Sequence, residues 1–299
     1  MGEYPIFIGF GDPVLSLPAL ALILIAAILH ASWNLVLKQA KYKQVFLWWA
    51  LFIGTLCFAA PFVTHLALPL WIWPYVLSSA IMEAAYMITL TLAYDIDDFS
   101  LVYPIARGAA PVLLVLWATL FLNEPPRPLG LLGIFILVCG LLLIGGGALR
   151  QRLSHTGVSF RGIVAALISA LCISIYTAID GAAVRLVPAA PYTILVLGLS
   201  ALLFAPVVMW RYGSRLLISE LHTNWLRILL VGIAMLLTYI LVLQAYTFSR
   251  VSYAGAVREV SVVIGAILGW LWLREGFGRI RTLGALLIFS GILIIAILG

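Results

Sequence analysis

Long apolar runs, each interrupted by a short polar stretch, follow one another along nearly the whole chain. They cover 16–37, 44–63, 71–94, 101–122, 128–147, 160–181, 190–210, 224–248, 253–273 and 279–298. About 20 apolar residues in a helix cross the roughly 30 Å hydrocarbon layer of a bilayer, and each run has about that length. Strands would be far shorter, so the pattern predicts an all-α integral membrane protein with ten transmembrane helices. Most connections are short; the longest are 148–159 and 211–223. Residues 1–15 contain Gly, Pro and two acids but no Lys or Arg. They lack the basic start of a signal peptide, so the first run is expected to be a retained span.

The runs repeat. An offset of 151 pairs Arg107 with Arg258, Glu124 with Glu275, Gly133 with Gly284 and Gly140 with Gly291. An offset of 152 pairs Trp73 with Trp225, Ala93-Tyr94 with Ala245-Tyr246, and Ser100 with Ser252. Ala60-Pro61 matches Ala205-Pro206, and Leu29 and Ser32 match Leu171 and Ser174 more weakly. Each half then holds five spans. Because five is odd, the second half enters the membrane from the opposite side, and two inverted five-helix repeats are expected. The boundaries are 1–147 for the first, 148–159 for a linker and 160–299 for the second.

Composition agrees with this pattern and narrows the function. The 299 residues are 65% hydrophobic and 9% charged, where a soluble domain would carry about 25% charged residues. The net charge of +6 comes from basic residues spread between apolar runs, which is no nucleic-acid footprint. Lys38, Lys41, Lys43, Arg150, Arg152, Arg161, Arg211, Arg215, Arg227, Arg274, Arg279 and Arg281 fall on one side of the ten-span arrangement. Only Arg127, Arg185 and Arg250 fall on the other. The positive-inside rule makes the first side cytoplasmic and places both termini outside. Cys57, Cys139 and Cys172 lie within apolar runs without metal-ligand spacing and read as buried small residues.

The polar residues inside spans are the candidates for chemistry, because a charge at the bilayer centre costs about 2.5–3.5 kcal/mol even on the gentlest scale. His30, Trp33 and Asn34 share a face of the first span, and Glu83 and Tyr86 share one of the third. Tyr103 and Arg107 stand one turn apart in the fourth, between Pro104 and Pro111. Tyr176 aligns with Asn34. Arg258 and Glu259 are neighbours, about 100° apart on a continuous helix. Arg107 is either a lock, with Glu83 as its candidate partner, or the group that meets a carboxylate or phosphate on a substrate. The second reading is preferred, with Tyr103 and Tyr86 beside it, since Glu259 can neutralise Arg258 locally. Glu124 and Glu275 close hairpins, where a carboxylate can cap helix N–H groups. The two glycine pairs read as close helix packing. His30 has no second ligand within reach on its helix, so no metal is expected, and no cofactor motif occurs. The absence of a nucleophile–base pair argues against an enzyme.

Taken together, HASWN at 30–34, LVYPIARGAAPVL at 101–113, LNE and LRE with their following Gly133 and Gly284, and VREVSVV at 257–263 resemble the ten-helix EamA-type branch of the drug/metabolite transporter superfamily. The resemblance covers about 16–298. It implies a cavity between the halves, alternating access, and usually export of small metabolites or amino acids. The expected protein is therefore a secondary-active exporter in the plasma membrane, the inner membrane of a bacterium. Its substrate is a small polar molecule, amino-acid-like or otherwise bearing a carboxylate or phosphate. Its partners are that substrate, the lipid bilayer and, as candidate coupling ion, protons. One subunit suffices in principle, with a dimer as the alternative. The competing readings are a flippase for a lipid-linked sugar and a non-transporting membrane partner protein.

Overall fold

A helix whose apolar side chains run all the way round can bury only one stripe against its neighbours and must leave the rest to lipid. The computed structural model, which describes residues 15–62, 67–96, 99–155, 160–273 and 279–298, has this character throughout. Its elements are α1 (Leu17–Lys38), α2 (Lys43–Phe62), α3 (Trp73–Ile96), α4 (Phe99–Phe121) and α5 (Pro128–His155). They continue with α6 (Phe160–Ala183), α7 (Ala189–Tyr246), α8 (Val251–Val257), α9 (Val260–Leu273) and α10 (Arg279–Leu298). Among the described residues the only strand-like pairing is an isolated bridge between Leu15 and Ser249. Leu17–Lys38, Lys43–Pro61, Phe160–Ala183 and Ala189–Tyr246 are long and apolar enough to cross a membrane by length and composition.

Local signals set the helix limits. The Ser16 side chain accepts a hydrogen bond from the Ala19 N–H at 3.3 Å, and Pro18 sits in the first turn of α1, where its missing N–H costs nothing. Both long connections expected from the sequence turn out to contain helix. Residues 148–155 hold no Gly or Pro, so α5 runs on to His155. Residues 214–223 form a helical piece of α7 between breaks at Gly213 (φ 71°, ψ 156°) and Asn224. Leu217 and Glu220 of this piece are buried, one turn apart, on the side that meets α2. Gly213 supplies a backbone geometry that a residue with a Cβ rarely adopts.

Packing is governed by small residues. Ala19, Ile23, Ala26, Ala27 and Ala31 make one buried stripe along α1, while Leu17, Ile25 and Ile28 on the other faces are exposed. The principal neighbours are α5 with α10, α2 with α7, α3 with α6, α1 with α7, and α4 with α6 and α5, with α1 also against α9. Trp33, Val36 and Leu37 of α1 pack around Ile228 and Val231, in the second part of α7. Where α5 crosses α10, a Cβ on Gly133 would come within 2.9 Å of the Gly291 carbonyl oxygen. One on Gly140 would come within 2.6 Å of the Gly284 oxygen. A Cβ on Gly54 of α2 would meet the Gly232 oxygen at 2.5 Å. These backbones touch because no side chain intervenes. Hydrogen bonds from Trp48 Nε1 to the Ala201 carbonyl (3.0 Å) and from Trp49 Nε1 to the Leu217 carbonyl (2.9 Å) add polar fixings between α2 and α7.

Candidate functional site

The ninth apolar run, expected as one helix, is two. It breaks at Arg258 and Glu259, between α8 and α9, although neither residue is a helix breaker. The backbone tightens there into i→i−3 bonding: Glu259 N–H donates to the Ala256 carbonyl at 3.0 Å, Ser261 N–H to Arg258 at 3.2 Å, and Val262 N–H to Glu259 at 3.0 Å. Glu259 turns to Arg107 of α4, whose Nε lies 3.0 Å from Oε2. Arg107 Nη2 also reaches Ser261 Oγ at 3.5 Å, the outer limit of hydrogen bonding. Both charged groups are buried, with side chains 7% and 3% exposed.

The ion pair differs from the one expected: Glu259 pairs with Arg107 across the seam rather than with its neighbour Arg258, and Glu83 and Arg107 form no ion pair among the described residues. Among the described residues Arg258 has no ion pair or side-chain hydrogen bond, and its Nε is buried without a partner. It lines a narrow cleft, with about 10 Å³ of room, together with Ala110, Pro111 and Leu114 of α4, Ile173, Ser174 and Thr177 of α6, and Gly255 and Glu259. Ser174 is already committed: it accepts from Trp117 Nε1 at 3.0 Å and donates to the Leu171 carbonyl at 2.8 Å. Thr177 Oγ1 and the Tyr246 hydroxyl have no partner. A Cβ built on Gly255 would stand 3.7 Å from the Tyr246 oxygen and 3.9 Å from the Thr177 methyl, so both side chains flank that glycine.

Further carboxylates lie beside this group. Glu83 is buried in α3, and its Oε2 has no hydrogen-bond partner. Asp180 of α6 is completely buried; it accepts from the Tyr192 hydroxyl at 2.8 Å and from the Tyr239 hydroxyl by a very short bond. Tyr86, Tyr176 and Tyr239 follow one another with ring centroids 6.1 and 6.4 Å apart. On α1, His30 is half-buried and stacks edge-on against Trp33 at 4.8 Å, while Asn34 Nδ2 donates to the His30 carbonyl at 2.8 Å. His30 has Arg107 and Arg258 as its electrostatic neighbours. Tyr103 lies within α4, but its side chain is outside the described residues, as is the whole of Glu275. Sequence reasoning missed Asp180, because it stands one residue from the expected end of the sixth span, where a carboxylate passes for a loop residue. It also missed Thr177, Tyr192, Tyr239 and Tyr246, which a hydropathy pattern cannot distinguish from packing residues.

One end of the cluster is closed by Glu124. Asn123 (φ 54°) ends α4 in a left-handed turn, and the Glu124 N–H bonds back to the Ala118 carbonyl at 3.1 Å. That turn aims the Glu124 side chain at the start of α8. Its oxygens accept from the N–H groups of Val251 (3.0 Å) and Ser252 (3.2 Å) and from Ser252 Oγ (3.1 Å). Arg185, between α6 and α7, closes an ion pair with the same carboxylate. The capping role expected of Glu124 is realised, on a helix far away in sequence. Arg250 Nη1 donates to the Pro125 carbonyl at 2.9 Å, and the Arg127 N–H donates to the Tyr253 hydroxyl at 2.8 Å. The three loops that carry Arg127, Arg185 and Arg250 thus meet at one end of the bundle.

Residues 160–297 match the model of the EamA-like transporter family. A crystal structure of a protein with 19% identity to this chain superposes with a TM-score of 0.75, covering 94% of this chain and 99% of that one. At that identity the likeness establishes the fold alone. No curated protein matches the sequence.

Replacing Glu124 by Ala leaves two buried N–H groups at the start of α8 without an acceptor. The expected loss is about 1–2 kcal/mol, the usual cost of a lost cap, read as a lower midpoint of thermal unfolding in detergent. Ser252→Ala, which removes one of four hydrogen bonds and ion pairs at that carboxylate, lowers the midpoint less. An unchanged midpoint in Glu124→Ala would show that the clamp contributes nothing to the fold.

Proposed function

Because this chain belongs to the drug/metabolite transporter superfamily through its EamA-like second half, we propose that it moves a small polar metabolite across the membrane by secondary-active alternating access. The single observation that carries the reading is the set of ionisable groups buried together beside a broken helix: Glu83, Arg107, Asp180, Arg258 and Glu259. Charges inside a membrane bundle are expensive, and a fold that only needed to be stable would do better without them. Interrupted helices at mid-bundle are where transporters hold their substrates, since backbone irregularity is tolerated only around a protein-lined cavity. EamA-like proteins are transporters, not enzymes.

Two inverted five-helix repeats, 1–147 and 160–299 joined by 148–159, supply the moving parts in this proposal. Gly133 and Gly284 occupy equivalent positions under the 151-residue offset, as do Gly140 and Gly291. In the bundle Gly133 faces Gly291 while Gly140 faces Gly284. Each position thus meets the other's counterpart, which is the reciprocity of an isologous contact about a two-fold axis. The pairing of α3 with α6 likewise corresponds to that of α1 with the second part of α7, and α4 with α6 to α1 with α9. One chain then contains both partners of the rocking motion, and a monomer suffices. The end closed by Glu124 is the extracellular one in this account, with both termini outside a plasma membrane. A reporter that works only outside the cytoplasm, fused after Gly299, is therefore active; activity of a cytoplasm-only reporter there reverses the orientation.

The substrate proposed is a soluble metabolite with a carboxylate or phosphate, exported against coupling protons. As it stands the cleft has only about 10 Å³ of room, enough for about one water-sized group and far below the roughly 300–1,000 Å³ of ordinary ligand sites, so in this proposal the substrate loads only after the cleft opens. Three buried carboxylates, Glu83, Asp180 and Glu259, stand with two arginines, Arg107 and Arg258, so uptake of a proton by one carboxylate would offset the charge of an entering anion. Glu83, whose Oε2 lacks a partner, is the proposed proton carrier. Purified protein in liposomes is expected to carry members of a panel of amino acids, organic acids and phosphate esters faster than empty liposomes do, at a rate that depends on pH. Glu83→Gln, neutral at every pH, removes that dependence while exchange persists. No flux for any member would defeat the transport reading, and unchanged pH dependence in Glu83→Gln would return Glu83 to a structural role.

A further inference from the structure

We infer that Arg258, Thr177 and Tyr246 form an oxyanion-binding subsite at the break between α8 and α9, and that it receives the carboxylate or phosphoryl group of the transported molecule. The inference rests on the transport reading above but assigns the anion contact to residues of the second half, away from Arg107. It begins with an accounting of hydrogen bonds. Buried polar groups in folded proteins nearly always have partners, since leaving one unmade costs about 1–3 kcal/mol. Here three potential donors have no hydrogen-bond partner among the described residues: the Arg258 Nε and the Thr177 hydroxyl, whose residues line the cleft, and the Tyr246 hydroxyl, which lies beside Gly255 of the same cleft. Thr177 is 2% exposed, Tyr246 0% and Arg258 9%, so bulk water is not their partner either.

Their arrangement points to a ligand and not to loose packing. Thr177 and Arg258 line the cleft, and at Gly255, which carries no side chain, the Tyr246 hydroxyl and the Thr177 methyl both come close to the backbone of α8. The other hydroxyl in the cleft, Ser174, makes the contrast: it is saturated by Trp117 and the Leu171 carbonyl. Glu259 would repel an anion if left to itself, but its charge is taken up by Arg107. A planar guanidinium flanked by two hydroxyls matches an oxyanion, which accepts at several lone pairs and forms stronger hydrogen bonds than a neutral group does.

The test uses the fact that Thr177→Val and Tyr246→Phe each delete one hydroxyl that makes no hydrogen bond in the protein. Removing an unsatisfied buried hydroxyl leaves stability unchanged or raises it, whereas removing a ligand contact weakens binding. Full-length protein is purified in detergent at constant chloride, and its thermal midpoint is followed against acetate in one arm and inorganic phosphate in the other. The expected result is a saturable rise with at least one of the two; the arm that responds tells a carboxylate site from a phosphoryl site. The apparent affinity should fall about tenfold or more in Thr177→Val, Tyr246→Phe and Arg258→Lys, with the anion-free midpoints of the two hydroxyl variants not lowered. The inference is overturned if neither anion raises the midpoint, if the variants respond as the parent does, or if the hydroxyl variants unfold earlier without anion. Anion binding lost in the variants, in a protein that carries no flux, would keep the subsite and defeat the transport reading. Flux unaffected by the three substitutions would do the reverse.

Discussion

The pairing of Arg107 with Glu259, between α4 and the α8–α9 turn, is the contact on which the rest of the interior depends. Two charges taken into a bundle surrounded by lipid offset part of their desolvation by pairing, here as a 3.0 Å ion pair that lies outside hydrogen-bond alignment. Meeting requires Glu259 to face α4, while the next residue, Arg258, faces α6 and the cleft. A straight α-helix separates adjacent side chains by about 100°. The tightened turn between α8 and α9 serves both directions at once, and nothing in the local sequence, Ala256-Val257-Arg258-Glu259-Val260, would break a helix unaided. The break is therefore best understood as a tertiary effect. The ion pair selects the turn, and the turn leaves Arg258 open.

The same economy runs through the packing. In a bilayer there is no water to drive helices together, so they associate where small residues let backbones touch and where buried polar groups find partners. Gly133, Gly140, Gly284 and Gly291 hold α5 to α10, and Gly54 with Gly232 holds α2 to α7. Glu124 and Arg185 fasten the loop ends at one side of the bundle. Between these fixed regions lies the polar interior, where Glu83, Thr177, Tyr246 and Arg258 keep hydrogen-bonding capacity unused. Contacts that hold and groups left open occupy different parts of the molecule, which is what a protein that must both keep its fold and release a cargo requires.

Much of this could be read from the residues alone, for identifiable reasons. Charges in apolar runs are costly enough to stand out, so Glu83, Arg107, Arg258 and Glu259 were visible as a group. Helix positions followed from run length, and the glycine contacts from their recurrence at one offset. Which arginine is committed was not legible, because it depends on a turn set by a pairing of residues 152 positions apart, Arg107 and Glu259. Asp180 was hidden by its place near a span end, and its tyrosine partners come from α7, whose course through Gly213 and Asn224 hydropathy does not reveal. The helical piece at 214–223 did carry its signal, in Leu217 and Glu220 one turn apart, but its polar flanks read as a loop.

The most direct measurement of the central claim is a charge exchange at the seam. Arg107→Glu and Glu259→Arg alone each place two like charges in a buried site and should lower the thermal midpoint sharply. A buried pair broken by loss of one partner typically costs about 3–5 kcal/mol. The double variant restores an opposite pair, and this account predicts that it recovers most of the lost stability and still binds oxyanions through Arg258. A double variant no more stable than the worse single one, or an Arg107→Glu protein as stable as the parent, would contradict the claim that this pair fixes the broken helix and frees its neighbour.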